Sequence, residues 1–137
     1  MTESHYPAAS WQVAREEIIA VLQNIAGLNF AILYGSAGVG EPFRDLDIAL
    51  AVDRTVQPKA GDLDLAFAVS EALEARLPWP IDVRVINDAP LPFSYNVSKG
   101  EPLLLNEPEA YYTWLERTWD MWFDFKPIAD QYLRDLA

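Results

Sequence analysis

Cysteine is absent from the 137-residue sequence, which excludes a disulfide framework, a thiolate nucleophile and any thiolate zinc site. Histidine occurs once, as His5 in a polar, proline-containing opening stretch, so histidine triads and histidine-based zinc motifs are excluded. His5 itself reads as chemically neutral. Basic residues are scarce, 10 Lys and Arg against 21 Asp and Glu for a formal charge of −11. Nucleic acid as the main partner is therefore disfavoured, because such binding draws most of its affinity from neutralised phosphates. A basic protein partner or a carboxylate metal site fits the same charge. No run of about 18 apolar residues exists to span a bilayer, and no signal peptide precedes the first helix, so a soluble cytoplasmic protein without membrane contact is expected. Gly38-Val39-Gly40 lacks the third glycine and the ribose acid of a dinucleotide fold, and no Walker lysine is present. Internal repeats and low-complexity segments are also missing.

What is present is a chain that is 51% hydrophobic, enough for one domain over 1–137. Residues 1–9 read as a mobile arm. Ser10 is placed to cap a helix running to about Asn24, with Trp11, Ala14, Ile18, Val21 and Ile25 inward and Gly27 as its stop. Leu28 to Tyr34 reads as a buried strand, Ser36 to Val39 as a helical turn, and Asp45 to Val52 as a second strand. Asp62 would cap a second long helix through Leu77, with Leu63, Ala66, Ser70, Leu73 and Leu77 on one side. Ile81 to Ile86 alternates as a third strand, Phe93 to Ser98 as a short helix and Leu103 to Leu105 as a short fourth strand. From Pro108 the chain is helical over 108–137, with Tyr112, Leu115, Trp119, Trp122 and Phe123 apolar and a kink or restart at Pro127. Its rings are expected to pack in the core, a partner-binding face being the alternative. Glu16, Glu17, Glu71 and Glu74 read as solvated. The fold class is α/β (α+β), a small mixed sheet of about 3–4 strands flanked by helices.

The chemistry concentrates in Tyr34 to Val52. A strand running into Gly35-Ser36 offers backbone and a hydroxyl to a phosphate. Alternation along a strand puts Asp45 and Asp47 on one face, roughly 6.5 Å apart, with Leu46, Ile48, Leu50 and Val52 on the other. Two such carboxylates suit magnesium, which takes one or two of them together with waters and substrate phosphates. A register pairing Asp47 with position 49 is excluded by Ala49. Asp82 begins a separate strand and would join the pair if the second and third strands are neighbours.

Glycine-serine, then paired aspartates, then a lone strand aspartate is an order that resembles the minimal nucleotidyltransferases of the DNA polymerase beta superfamily. Ile81-Asp82-Val83-Arg84-Val85-Ile86-Asn87-Asp88-Ala89-Pro90 and Gly100-Glu101-Pro102-Leu103-Leu104-Leu105 look most like the antitoxin subunit of HEPN/MNT toxin–antitoxin pairs, over roughly Leu28 to the C-terminus. The resemblance implies a polymerase beta-like fold and magnesium-dependent transfer of AMP from ATP to a tyrosine of a HEPN ribonuclease toxin. It makes Asp45, Asp47 and Asp82 the catalytic and metal residues, and Gly35, Ser36, Gly40 and Arg44 the nucleotide-binding ones. Three departures accompany it: Val39 stands where a basic residue is usual, the link from Gly40 to Asp45 is about two residues short, and Arg44 replaces a serine. Arg44 or Arg84 would then supply the missing cation. A binding-only antitoxin and an antibiotic nucleotidyltransferase are the competing readings.

Overall fold

A computed structural model describes residues 5–136. Four strands form one mixed sheet in the order β3-β2-β1-β4. β1 (Leu28–Tyr34) runs antiparallel to both β2 (Leu46–Val52) and β4 (Glu101–Leu105), and β3 (Ile81–Val85) runs parallel to β2. A parallel neighbour needs a crossover, and α3 (Asp62–Glu74) supplies it. β1 and β2 read as unbroken apolar runs because helices cover both faces of the sheet. Leu33, Leu46, Ile48 and Leu50 are buried with Trp11, Ile18 and Leu22 of the N-terminal segment and with Val69 and Leu73 of α3. Phe30, Ile32, Tyr34, Ala49 and Ala51 are buried on the opposite face, with Val97 of α4 (Leu91–Ser98) and Tyr111 of α5 (Pro108–Asp135).

Several elements differ from the sequence reading. The first helix opens as a 3₁₀ turn over Ala8–Ala14 before α1 (Arg15–Leu22). Ser10 does not cap it, because its own amide donates to the Pro7 carbonyl at 2.9 Å. Residues 1–4 of the expected mobile arm lie outside the described residues. The rest of the arm is tied down: Tyr6 and Phe43 exchange backbone hydrogen bonds of 2.7 and 2.9 Å, and their rings meet Trp79 edge-on at 6.0 and 5.4 Å.

β2 starts at Leu46, not Asp45. Asp62 does not cap α3; its carboxylate takes two hydrogen bonds from Arg54, of 2.6 and 2.9 Å. Arg54 also reaches Asp88 at 2.9 Å, which joins the loop before α3 to the loop after β3. α3 ends at Glu74, short of Leu77; of its expected inward face Leu73 and Leu77 are buried and Ala66 packs on the core, but Leu63 is 85% exposed and Val69 is buried instead. Glu74 is not merely solvated, since it accepts the Ile81 amide at 2.7 Å. Asn87 extends the sheet by a side chain, accepting from Val52 N–H at 2.9 Å and donating to Val52 C=O at 2.7 Å. α4 begins at Leu91, with Pro90 as N-cap and Pro92 in the first turn, where a missing N–H costs nothing. β4 accommodates Pro102 because it is an edge strand.

α5 continues through Pro127 as one 28-residue helix, with no restart. The proline deprives only the Phe123 carbonyl of its donor, and Phe123 is exposed to water. At about 1.5 Å per residue α5 is roughly twice as long as the strands beneath it. Its rings therefore divide. Tyr111 and Trp114 pack on Phe30 at 5.3 and 5.4 Å, and Trp122 stacks on Tyr95 of α4 at 4.4 Å. Tyr112 and Phe123, expected on the buried stripe, are exposed, as are Phe125, Ile128 and Tyr132.

Candidate active site

The expected site residues collect at one end of the sheet. Tyr34 closes β1 and pairs across with Asp47 of β2, and Asp47 stands in register with Asp82 of β3. Parity then puts Tyr34, Asp47 and Asp82 on the face shared with Ala49 and Ala51. Gly35 begins a short helix, α2 (Gly35–Gly38), with φ of 71°. A Cβ there would run into the Asp47 carboxylate, so the glycine turn is pressed directly against the second aspartate. The first amides of a helix have no acceptor inside it, which leaves those of Gly35 and Ser36 pointing out of the turn. Gly40 also has positive φ, 79°. Its amide donates to the Ala37 carbonyl at 3.2 Å, and space is open beside it.

Ser36, Arg44 and Asp45 line one cavity of about 290 Å³ together with His5. By sequence alone His5 is chemically neutral and has no reason to lie here. The Tyr6–Phe43 bridge is what carries it to the cavity, and a bridge of single residues has no periodic signal by which to find it. Val39, in the place of the usual cation, is half exposed on α2's C-terminal side.

Burial, followed by the charges of Asp45 and Asp82, pushes the Asp47 carboxyl up to about 6. Burial and then the Asp47 charge likewise push the Tyr34 phenol well above its ordinary value. The Asp82 carboxylate accepts a hydrogen bond from Arg84 Nε at 3.1 Å, and that bond raises Arg84 in turn. The Arg84 guanidinium lies 5.5 Å over the Phe93 ring of α4.

Among the described residues no three carboxylate or imidazole groups converge as a ready-made metal cage. Of the three carboxylates expected to share a metal, Asp82 is paired with Arg84. Two carboxylates still fit magnesium, whose remaining ligands are waters and substrate oxygens. The mutual repulsion that raises Asp47 is what a bound cation would relieve.

The family model described as polymerase beta, nucleotidyltransferase, matches residues 16–110. The chain belongs to this nucleotidyltransferase family. The matched span takes in α1 through the start of α5, including every expected site residue. No curated protein sequence matches the chain. Among solved structures, a mutant MntA–HpeT toxin–antitoxin complex is similar with a TM-score of 0.71 and 20% identity, covering 89% of this chain and 97% of that one. A toxin–antitoxin structure with AMP-PNP gives 0.69 and 21% over 89% and 97%. The tri-AMPylated HEPN toxin in complex with MNT antitoxin, from Shewanella oneidensis, gives 0.66 and 20% over 91% and 97%. These likenesses extend the shared fold to about nine-tenths of this nucleotidyltransferase. No helix among the described residues is long and apolar enough to cross a membrane.

Proposed function

We propose that this nucleotidyltransferase is the antitoxin of a HEPN-type ribonuclease toxin, silencing it in the cytoplasm by transferring AMP from ATP to a toxin tyrosine. One observation carries the reading: the Asp47 carboxylate is lodged against the Gly35 turn, with Asp45 two residues before it and Asp82 opposite in register. A glycine turn thereby abuts one of the carboxylates, which supports a phosphate and a metal being held side by side. Support comes from the MNT antitoxin solved with an AMPylated HEPN toxin and from the toxin–antitoxin structure holding AMP-PNP.

In this reading the Gly35 and Ser36 amides and the Ser36 hydroxyl bind the terminal phosphates of ATP, and Gly40 shapes the turn that presents them. Arg44, on the same cavity as Ser36 and Asp45, adds positive charge on the triphosphate side. Asp45 and Asp47 would hold Mg²⁺, which supplies charge neutralisation to the triphosphate. Asp82 orients the acceptor hydroxyl and takes its proton. The acceptor oxygen bonds to the α-phosphorus, the bond from that phosphorus to the α,β-bridging oxygen breaks, and pyrophosphate leaves with the electron pair. Arg84 keeps the Asp82 carboxylate in one orientation.

Incubation with labelled ATP, magnesium and the HEPN-type protein of the adjacent reading frame is expected to label a tyrosine of that protein. Transfer no greater than that of the Asp45→Ala/Asp47→Ala double variant would overturn catalysis. A second reading, neutralisation by binding alone, is favoured by half-exposed Val39 in the place of the usual cation. It predicts that the double variant still protects cells from the toxin.

A further inference from the structure

β3 is the outer strand beside the candidate site. The Pro80 carbonyl accepts from Leu46 N–H at 3.0 Å, and Ile86 N–H donates to the Leu50 carbonyl at 2.9 Å. Even-numbered residues of β3 thus turn their backbone groups toward β2, and Ile81, Val83 and Val85 turn theirs outward. α3 closes the outer edge at Ile81 alone: Ser70 Oγ donates to its carbonyl at 2.6 Å, and Glu74 accepts its amide at 2.7 Å. The outward N–H and C=O groups of Val83 and Val85 have no partner among the described residues.

An apolar groove runs along this edge, with Val83 7% exposed at its floor and Val85 half-buried. Leu63 and Phe67, one helical turn apart on α3, are 85% and 70% exposed. Leu63, Ala66, Asp82 and Val83 line two hollows, of about 350 and 430 Å³, and Phe67 lines the larger. Its lining includes Asp82, the carboxylate that faces the acceptor in the AMP-transfer reading, and runs on to Arg84 and Val85. Its rim is acidic, since Asp64 and Glu71 flank Phe67 and make no ion pair among the described residues. A second copy of this chain would bring another formal charge of −11, so charge complementarity selects a basic occupant.

We propose that the acceptor tyrosine arrives on an extended, basic segment of the toxin that adds as a further strand to β3 at Val83 and Val85, seating an apolar side chain between Leu63 and Phe67. Main-chain hydrogen bonds to the edge give such a segment its alignment, and the groove gives it selectivity. Asp82 adjoins Val83 in the chain, so the added strand carries a hydroxyl past the carboxylate.

This inference rests on the AMP-transfer reading, and its test separates the two. Amide hydrogen exchange is measured on the full chain, alone and mixed with the HEPN-type protein of the adjacent reading frame. The Val83 and Val85 amides are expected to slow by about tenfold or more in the complex. Phe67→Glu, with Leu63→Glu as a second variant, is expected to lower AMP transfer by roughly 30-fold, the size of an interface hot spot, with the melting temperature unchanged. Absence of a complex, or a complex in which either amide exchanges as in the free chain, overturns the docking. So does full transfer by both variants. Protection of both amides without transfer by the unaltered protein overturns the AMP-transfer reading and leaves the docking standing.

Discussion

Asp47 holds its proton more tightly in the folded chain than in the unfolded one, because its carboxyl rises from 3.8 to about 6 by burial and by the charges of Asp45 and Asp82. The sign follows from linkage. Folded Asp47 binds the extra proton between those two values, so stability falls as pH rises through that window and the full cost is present above it. Asp47→Asn removes the cost. Its melting temperature in metal-free buffer at pH 7.5 is expected to exceed that of the unaltered protein by a few degrees, on the order of 1 kcal/mol for a domain of this size. The gap should close on titration below pH 4, and millimolar magnesium should raise only the unaltered protein. A melting difference independent of pH would count against the raised Asp47 carboxyl. Gly35 and Gly40 offer a second contrast at this scale. Both have positive φ, so alanine at either costs roughly 1–2 kcal/mol of backbone strain. Only at Gly35 does the added methyl also strike the Asp47 carboxylate. Gly35→Ala should abolish AMP transfer, whereas Gly40→Ala should melt earlier but retain much of it, as a steady-state comparison of the two would read.

At the scale of elements, α5 divides into a proximal part built on Phe30 and α4 and a distal part whose Phe125, Ile128, Tyr132 and Leu133 are exposed. Proline in a helix interior costs about 3 kcal/mol relative to alanine. Because the distal turns carry no core residue, Pro127→Ala should slow amide exchange over residues 123–131 while leaving the global melting temperature nearly unchanged; a large rise in melting temperature would mean the distal helix is coupled to the core. The same helix shows where sequence reading succeeds and fails. β1, β2 and β3 were legible because buried strands are short apolar runs bounded by turn residues, and the side-chain parity of Asp47 and of Asp82 was legible with them, but that β2 and β3 are neighbours, which brings the two aspartates into register, was not. The inward face of α3 was legible only in part: Leu73 and Leu77 are buried as expected, but Leu63 and Val69 are equally apolar, and only the position of the sheet decides which is buried. Nor does a string of residues reveal that Gly35 abuts Asp47 or that Tyr6 carries His5 to the cavity. Those contacts are made by tertiary packing between segments with no shared period.

Across the whole molecule, acidic residues outnumber basic ones by 21 to 10, yet the ion pairs in the structure spend cations locally. Arg54 serves Asp62 and Asp88, Arg84 serves Asp82, and Arg15 serves Glu101. The surplus of negative charge is left to the surface, where it repels a second copy and attracts a basic partner over distances of about one Debye length. In the AMP-transfer reading the donor ATP is itself an anion, which gives Arg44, the α2 amides and a divalent cation their part at the site. Association with the HEPN-type partner is therefore expected to be electrostatically steered. Its bimolecular rate constant, read by stopped-flow fluorescence of the tryptophans, should fall roughly tenfold as salt rises from about 20 to about 300 mM, while the dissociation rate changes little. ATP affinity at fixed magnesium should move the opposite way, since salt screens the repulsion between the acidic surface and the nucleotide. An association rate indifferent to salt would assign the surface charge to solubility alone.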